Sequence, residues 1–137
     1  MKIILLTAVV LAGLSGSGLA QEIGNPAAGA QLFKRCLACH KVGPDATNGV
    51  GPALNGIVGR VAGTYPGYAY SEANLASNLT WDVETLRAYL PNPRAFLPGT
   101  KMAFPGIRDE GDVNDVIAYL AQFDEVGNIV EITAQAQ

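Results

Sequence analysis

A chain of 137 residues has room for one small domain. With Lys2 set apart, eight basic residues face twelve acidic ones, and that acidic balance argues against nucleic acid as a partner. Beyond the first twenty residues no apolar run approaches the roughly 20 residues that a membrane-spanning helix needs.

The start of the chain reads as a targeting segment. Met1-Lys2 is a short basic end, Ile3 to Leu14 an apolar run, and Gly18-Leu19-Ala20 a small-residue cleavage site. The spacing predicts a secretory signal over residues 1–20, cut after Ala20, and hence export to the periplasm. The other reading is a retained membrane anchor, for which the run is short and is followed by Ser15, Gly16, Ser17 and Gly18.

Asn25-Pro26 opens the first predicted helix: Asn can cap free backbone N–H groups, and Pro suits the first helical position. Gly29, Leu32, Phe33 and Cys36 recur at helical spacing, so this helix is expected to run into the cysteine pair. Val42 to Gly67 is rich in Gly and Pro and is expected to be loop. A short helix follows Ser71, and another spans Asp82 to Leu90, stopped by Pro91-Asn92-Pro93. Phe96 to Gly106 reads as irregular. The last helix is expected to start near Asp112, with Asp115 completing a capping box, and its apolar face is Val113, Val116, Ile117, Leu120 and Phe123. Residues 124–137 show no clear role. No period-2 run occurs, so the chain reads as a few helices joined by long loops, which need something to wrap around.

Cys36-Leu37-Ala38-Cys39-His40 carries the chemistry. This is the attachment pattern for c-type haem. Two thiols three residues apart on one turn can both form thioethers with the porphyrin, and the next residue, His40, is carried beneath the iron. A structural zinc site needs four ligands, but His40 is the only histidine and no other cysteine exists. A thioredoxin-like pair would sit beside a βαβ pattern, which is absent. A disulfide over so small a loop would constrain the unfolded chain little.

Apart from Met1, Met102 is the only methionine. It lies in Pro98-Gly99-Thr100-Lys101-Met102, a loop suited to presenting sulfur rather than filling a helix face. His40 and Met102 together would fill both axial positions and leave the iron only electron transfer. The rivals are a haem enzyme or gas-binding module with an open axial position, and a membrane-tethered electron-transfer subunit.

With these motifs in view, the sequence resembles class I cytochromes c, in particular the mitochondrial cytochrome c and bacterial cytochrome c2 group, over nearly all of residues 24–123. The resemblance also rests on Gly51-Pro52-Ala53-Leu54, Gly59-Arg60, Gly67-Tyr68-Ala69-Tyr70, Thr80-Trp81, Tyr89-Leu90, Asn92-Pro93 and Ile117-Ala118-Tyr119-Leu120. It implies an all-α, single-domain fold over residues 21–123 wrapped around one covalent haem c. It further implies that the Pro52 carbonyl accepts a hydrogen bond from His40. Arg60, Tyr70, Trp81 and Thr100 would surround the haem propionates, Tyr89 would bond the Met102 sulfur, and Gly29 would let the first and last helices cross closely.

In function it implies a monomeric electron carrier rather than an enzyme. Its partners would be transient redox proteins: a cytochrome bc1-type donor, and an oxidase, photosynthetic reaction centre or periplasmic reductase as acceptor, with no stable membrane insertion. Lys34, Lys41 and Lys101 would flank the exposed haem edge. Pro91, Pro105, the 124–137 tail and a sparse set of lysines depart from the family pattern.

Overall fold

Local capping decides where each helix begins. In a computed structural model, which describes residues 23–130, five helices follow one another: α1 (Pro26–Phe33), α2 (Glu72–Ala76), α3 (Val83–Tyr89), α4 (Pro93–Phe96) and α5 (Glu110–Ala121). The proposed signal over residues 1–20 lies outside the described residues. Each helix opens on a side chain that accepts from an otherwise unpaired backbone N–H. Asn25 serves Ala27 and Ala28, Ser71 serves Asn74, and Asp82 serves Thr85. Asn92 serves Ala95, and Asp109 serves Asp112.

Three boundaries differ from expectation. α1 ends at Phe33 rather than at the cysteines, because the chain tightens there into shorter-range bonds: Cys36 N–H donates to Phe33 and Cys39 N–H to Cys36. Pro91-Asn92-Pro93 does not simply stop the chain. Asn92 and Pro93 start α4 with the same Asn-Pro device that starts α1. α5 begins at Glu110, capped by Asp109, and Asp115 is no part of its cap. The Asp115 carboxylate instead accepts from the Asn25 backbone N–H, 2.6 Å away, and ties the two ends of the fold together.

α1 crosses α5 at Gly29, where an added Cβ would lie 1.9 Å from the Asp115 carbonyl oxygen and 2.8 Å from the Tyr119 Cβ. Only a residue without a side chain allows that approach. The crossing buries Phe33, Val113, Val116 and Ile117 almost completely, and each such side chain contributes roughly 1.5–3 kcal/mol. Phe33 meets Tyr119 with ring centroids 5.3 Å apart. α3 joins α5 through buried Leu86 and through Arg87, whose Nε donates to Asn114 at 2.8 Å.

The long loop expected over residues 42–67 is present. Its end pairs with the approach to α3: Gly59 N–H donates to Trp81 O, Trp81 N–H to Arg60 O, and Ala62 N–H to Leu79 O. This ladder sets Arg60 beside Trp81. Residues 124–130 turn back on α5 through an antiparallel bridge between Phe123 and Ile129 and a bond from Val130 N–H to Gln122 O.

Candidate haem site

The helices and loops enclose a cavity of about 310 Å³. Its lining is mostly apolar, with Phe33, Leu54, Ile57, Leu86, Val116 and Leu120 among the contributors. The structure brings all ten residues singled out from the sequence to this one space: Cys36, Cys39, His40, Pro52, Arg60, Tyr70, Trp81, Tyr89, Thr100 and Met102. Cys36 is half-buried and Cys39 exposed, so the pair spans the rim.

His40 is held from two sides. Its Nδ1 lies 2.7 Å from the Pro52 carbonyl oxygen. A carbonyl can only accept, so Nδ1 carries the proton and Nε2 keeps its lone pair. Gly51 leaves room for the ring: an added Cβ there would come within 2.4 Å of His40 Cε1. Burial pushes the imidazole pKa below its ordinary range; the bond to Pro52 opposes this and the Arg60 charge adds to it.

Pro52 begins a short strip whose carbonyls are all engaged. Arg60 donates through one guanidinium nitrogen to Asn55 O at 2.9 Å and through the other to Ala53 O at 3.3 Å. The guanidinium also lies over the Tyr65 ring, 4.7 Å from its centroid. The Tyr70 hydroxyl accepts from Tyr65 N–H at 3.3 Å, and burial raises its pKa against the pull of Arg60. Trp81 is buried against Tyr89, with ring centroids 4.7 Å apart.

Met102 is oriented as firmly as His40. The Tyr89 hydroxyl donates to its sulfur at 3.1 Å, and its own N–H donates to the Thr100 hydroxyl at 3.3 Å. Burial raises the Tyr89 pKa, so the phenol stays a donor.

Four further residues that no sequence motif marks with a role shape the site. Gly51 makes room for the imidazole. Asn55 is buried and binds Gly43 through both ends of its amide. Phe104 lies under the Arg35 guanidinium, 5.8 Å from its ring centroid, and an aromatic two residues past Met102 was a signal available to find it. Asn74 lines the cavity, and its Oδ1 is the one buried side-chain polar atom without a partner among the described residues. A buried polar group normally finds a partner. An apolar slot with one unpaired amide, two rim sulfurs, an oriented imidazole and an oriented thioether therefore fits a large planar ligand with polar groups at one edge, as haem is.

The site and fold define a small all-α c-type haem protein. The chain belongs to the cytochrome c family, whose sequence model matches residues 26–124. Within it the chain falls in the class I, cytochrome c2 group. It is 50% identical over 119 residues to a cytochrome c2 of Blastochloris viridis, covering 87% of this chain and 91% of that one. It is 50% identical over 103 residues to a cytochrome c-550 of Bradyrhizobium diazoefficiens, covering 75% of this chain and 76% of that one. The solved cytochrome c2 of Rhodospirillum centenum superposes with a TM-score of 0.71 at 47% identity, covering 74% of this chain and 99% of that one. As a family member the chain is an electron carrier rather than an enzyme, and it carries covalent haem c through Cys36 and Cys39.

Proposed function

We propose that His40 and Met102 ligate the haem iron and that the chain shuttles single electrons between redox proteins in the periplasm, its first twenty residues being removed on export. When bound, the haem supplies a one-electron Fe(III)/Fe(II) couple. The residues of the chain do the rest. Pro52 holds the His40 ring with Nε2 free, Tyr89 holds the Met102 sulfur, and the apolar lining keeps water away. Arg60, Tyr70, Trp81 and Thr100 offer the polar edge at which propionates would lie, and Asn74 can join them only through the N–H groups of its amide. If His40 and Met102 both held the iron, oxygen or peroxide would find no place to bind, which supports a shuttle over a haem enzyme or gas carrier. The observation that carries this reading is that the only histidine and the only methionine of the described residues enter one cavity, each already oriented by a hydrogen bond.

Partner contact is brief in this reading, with an interface under about 1,200 Å². Exposed Lys34, Arg35, Lys41 and Lys101 steer it toward an acidic patch on a membrane complex or a periplasmic reductase.

The test is an optical spectrum of the oxidised holoprotein. The weak long-wavelength sulfur-to-iron band is expected in the wild type and absent from Met102→Ala, which should also bind azide or carbon monoxide. Wild-type protein that binds these ligands freely at neutral pH would overturn the proposal.

A further inference from the structure

The family match ends at residue 124, yet the described chain continues to residue 130 and does not hang free. Gly56 N–H donates to Phe123 O at 3.1 Å, which fixes the start of the segment on the loop that carries Pro52. The Asp124 carboxylate then accepts from Val126 N–H at 3.0 Å and Asn128 N–H at 2.8 Å, closing a turn. At that turn Gly127, with φ of +87°, is buried against Gly43 and Asn55. A Cβ on Gly127 would lie 2.1 Å from the Gly43 carbonyl oxygen and 2.6 Å from Asn55 Nδ2. Both the backbone angle and the space demand glycine.

What lies beneath is the far end of the carbonyl strip. The Asn55 amide is 4% exposed and accepts from Gly43 N–H while donating to Gly43 O, each at 2.9 Å. Leu54 N–H donates to Lys41 O at 2.9 Å, one residue from His40. The same stretch gives its Pro52 carbonyl to His40 and its Ala53 and Asn55 carbonyls to Arg60. Backbone that bears this many functional acceptors, in a loop without helix or sheet, stays in place only if something holds its end.

We infer that residues 124–130 are a clasp on the His40 side of the cavity, whose Gly127 pins Asn55 against Gly43 so that the Pro52–Asn55 carbonyls keep His40 and Arg60 in position. None of the clasp's own side chains lines the cavity, although Glu125 packs against Gly56 and sets its carboxylate charge against that of Arg60. This inference rests on His40 being the iron ligand.

Amide hydrogen exchange on the reduced holoprotein tests it, together with the His40 Nδ1–H resonance and the midpoint potential. Gly127→Val should speed exchange at Gly43 and Leu54 by about tenfold or more, as local rather than global opening does. It should also shift the Nδ1–H resonance and the potential. Asp124→Ala, which only loosens the turn, should do the same to a smaller extent, and it carries the test if Gly127→Val does not fold. Val126→Ala, at an exposed position, should change nothing. Gly29→Ala strains the α1–α5 crossing and should lower stability without moving the Nδ1–H resonance.

The clasp is overturned if Gly127→Val and Asp124→Ala leave that resonance and the potential at wild-type values, or if exchange rises equally in α1 and α5. A failure of the ligand assignment is seen separately, in the wild-type optical spectrum, and leaves the exchange at Gly43 and Leu54 as an independent measure of the clasp.

Discussion

The hydroxyl of Tyr89 is aimed at the sulfur of Met102 across 3.1 Å, from a ring fixed by Trp81 on one side and the Phe96 edge, 5.8 Å away, on another. Removing the oxygen alone therefore leaves the ring in place. A donated O–H draws density from sulfur and disfavours the oxidised iron, so Tyr89→Phe should lower the midpoint potential. A hydrogen bond of about 1 kcal/mol felt by one oxidation state corresponds to about 40 mV for a one-electron couple. Voltammetry should show a fall of up to that size with the folded helical content unchanged. An unaltered potential would mean that the phenol does not act on sulfur.

Gly51 is the second sensitive point, for a steric reason. Its Cβ position lies 2.4 to 2.9 Å from three atoms of the His40 ring, and the ring is tied to Pro52 on the other side. Gly51→Ala should displace the imidazole and cost about 1–3 kcal/mol, the usual range for forcing extra volume into a filled site. Chemical denaturation of the holoprotein measures the loss. The His40 Nδ1–H resonance should broaden or vanish, whereas Gly49→Ala, whose nearest contact is 3.3 Å from the Cys39 carbonyl, should leave it sharp.

The legibility of these features in the sequence follows the distance over which they are encoded. Asn25-Pro26, Ser71 and Asp82 were readable as helix starts because a cap is completed within three residues. Cys36, Cys39 and His40 were readable because the attachment pattern is contiguous. α4 is hidden because Pro91-Asn92-Pro93 looks like a stop, although Asn92-Pro93 repeats the logic of Asn25-Pro26. The start of α5 is ambiguous because Asp109, Asp112 and Asp115 all offer carboxylates, and Asp115 is taken up by Asn25, 90 residues away. Asn55 and Gly127 gave no signal at all. Each is explained only by where Gly43 lies in the folded loop.

Charge near the cavity bears on the rate of reaction rather than on its chemistry. Arg35 and Lys101 line the cavity, while Lys34 and Lys41 are exposed nearby in sequence. Lys101 Nζ donates to Ala69 O at 2.7 Å and Arg35 rests on Phe104, so neither is neutralised by a carboxylate among the described residues. The second-order rate with an acidic redox partner should fall as ionic strength rises and the screening length drops below about 10 Å. Lys41→Gln should lessen that dependence. A rate that is flat with salt would remove electrostatic steering from the mechanism.

The acid limb of stability should reflect Asp82. Hydrogen bonds from the Thr85 backbone and side chain, with a lesser one from Glu84, hold this carboxyl below the ordinary carboxylate value, although the group is fully exposed. Because its folded pKa lies below its unfolded one, the carboxylate stabilises the start of α3 in full above about pH 4, and this support is lost as pH falls through the depressed value. Asn accepts the same bond without titrating. Asp82→Asn should therefore keep wild-type thermal stability at neutral pH but lose less of it between neutral pH and pH 3, whereas Asp82→Ala should melt earlier at every pH. Thermal melts of the three proteins across that range decide it, and parallel acid limbs for wild type and Asp82→Asn would show that protonation of the cap is not what loosens α3.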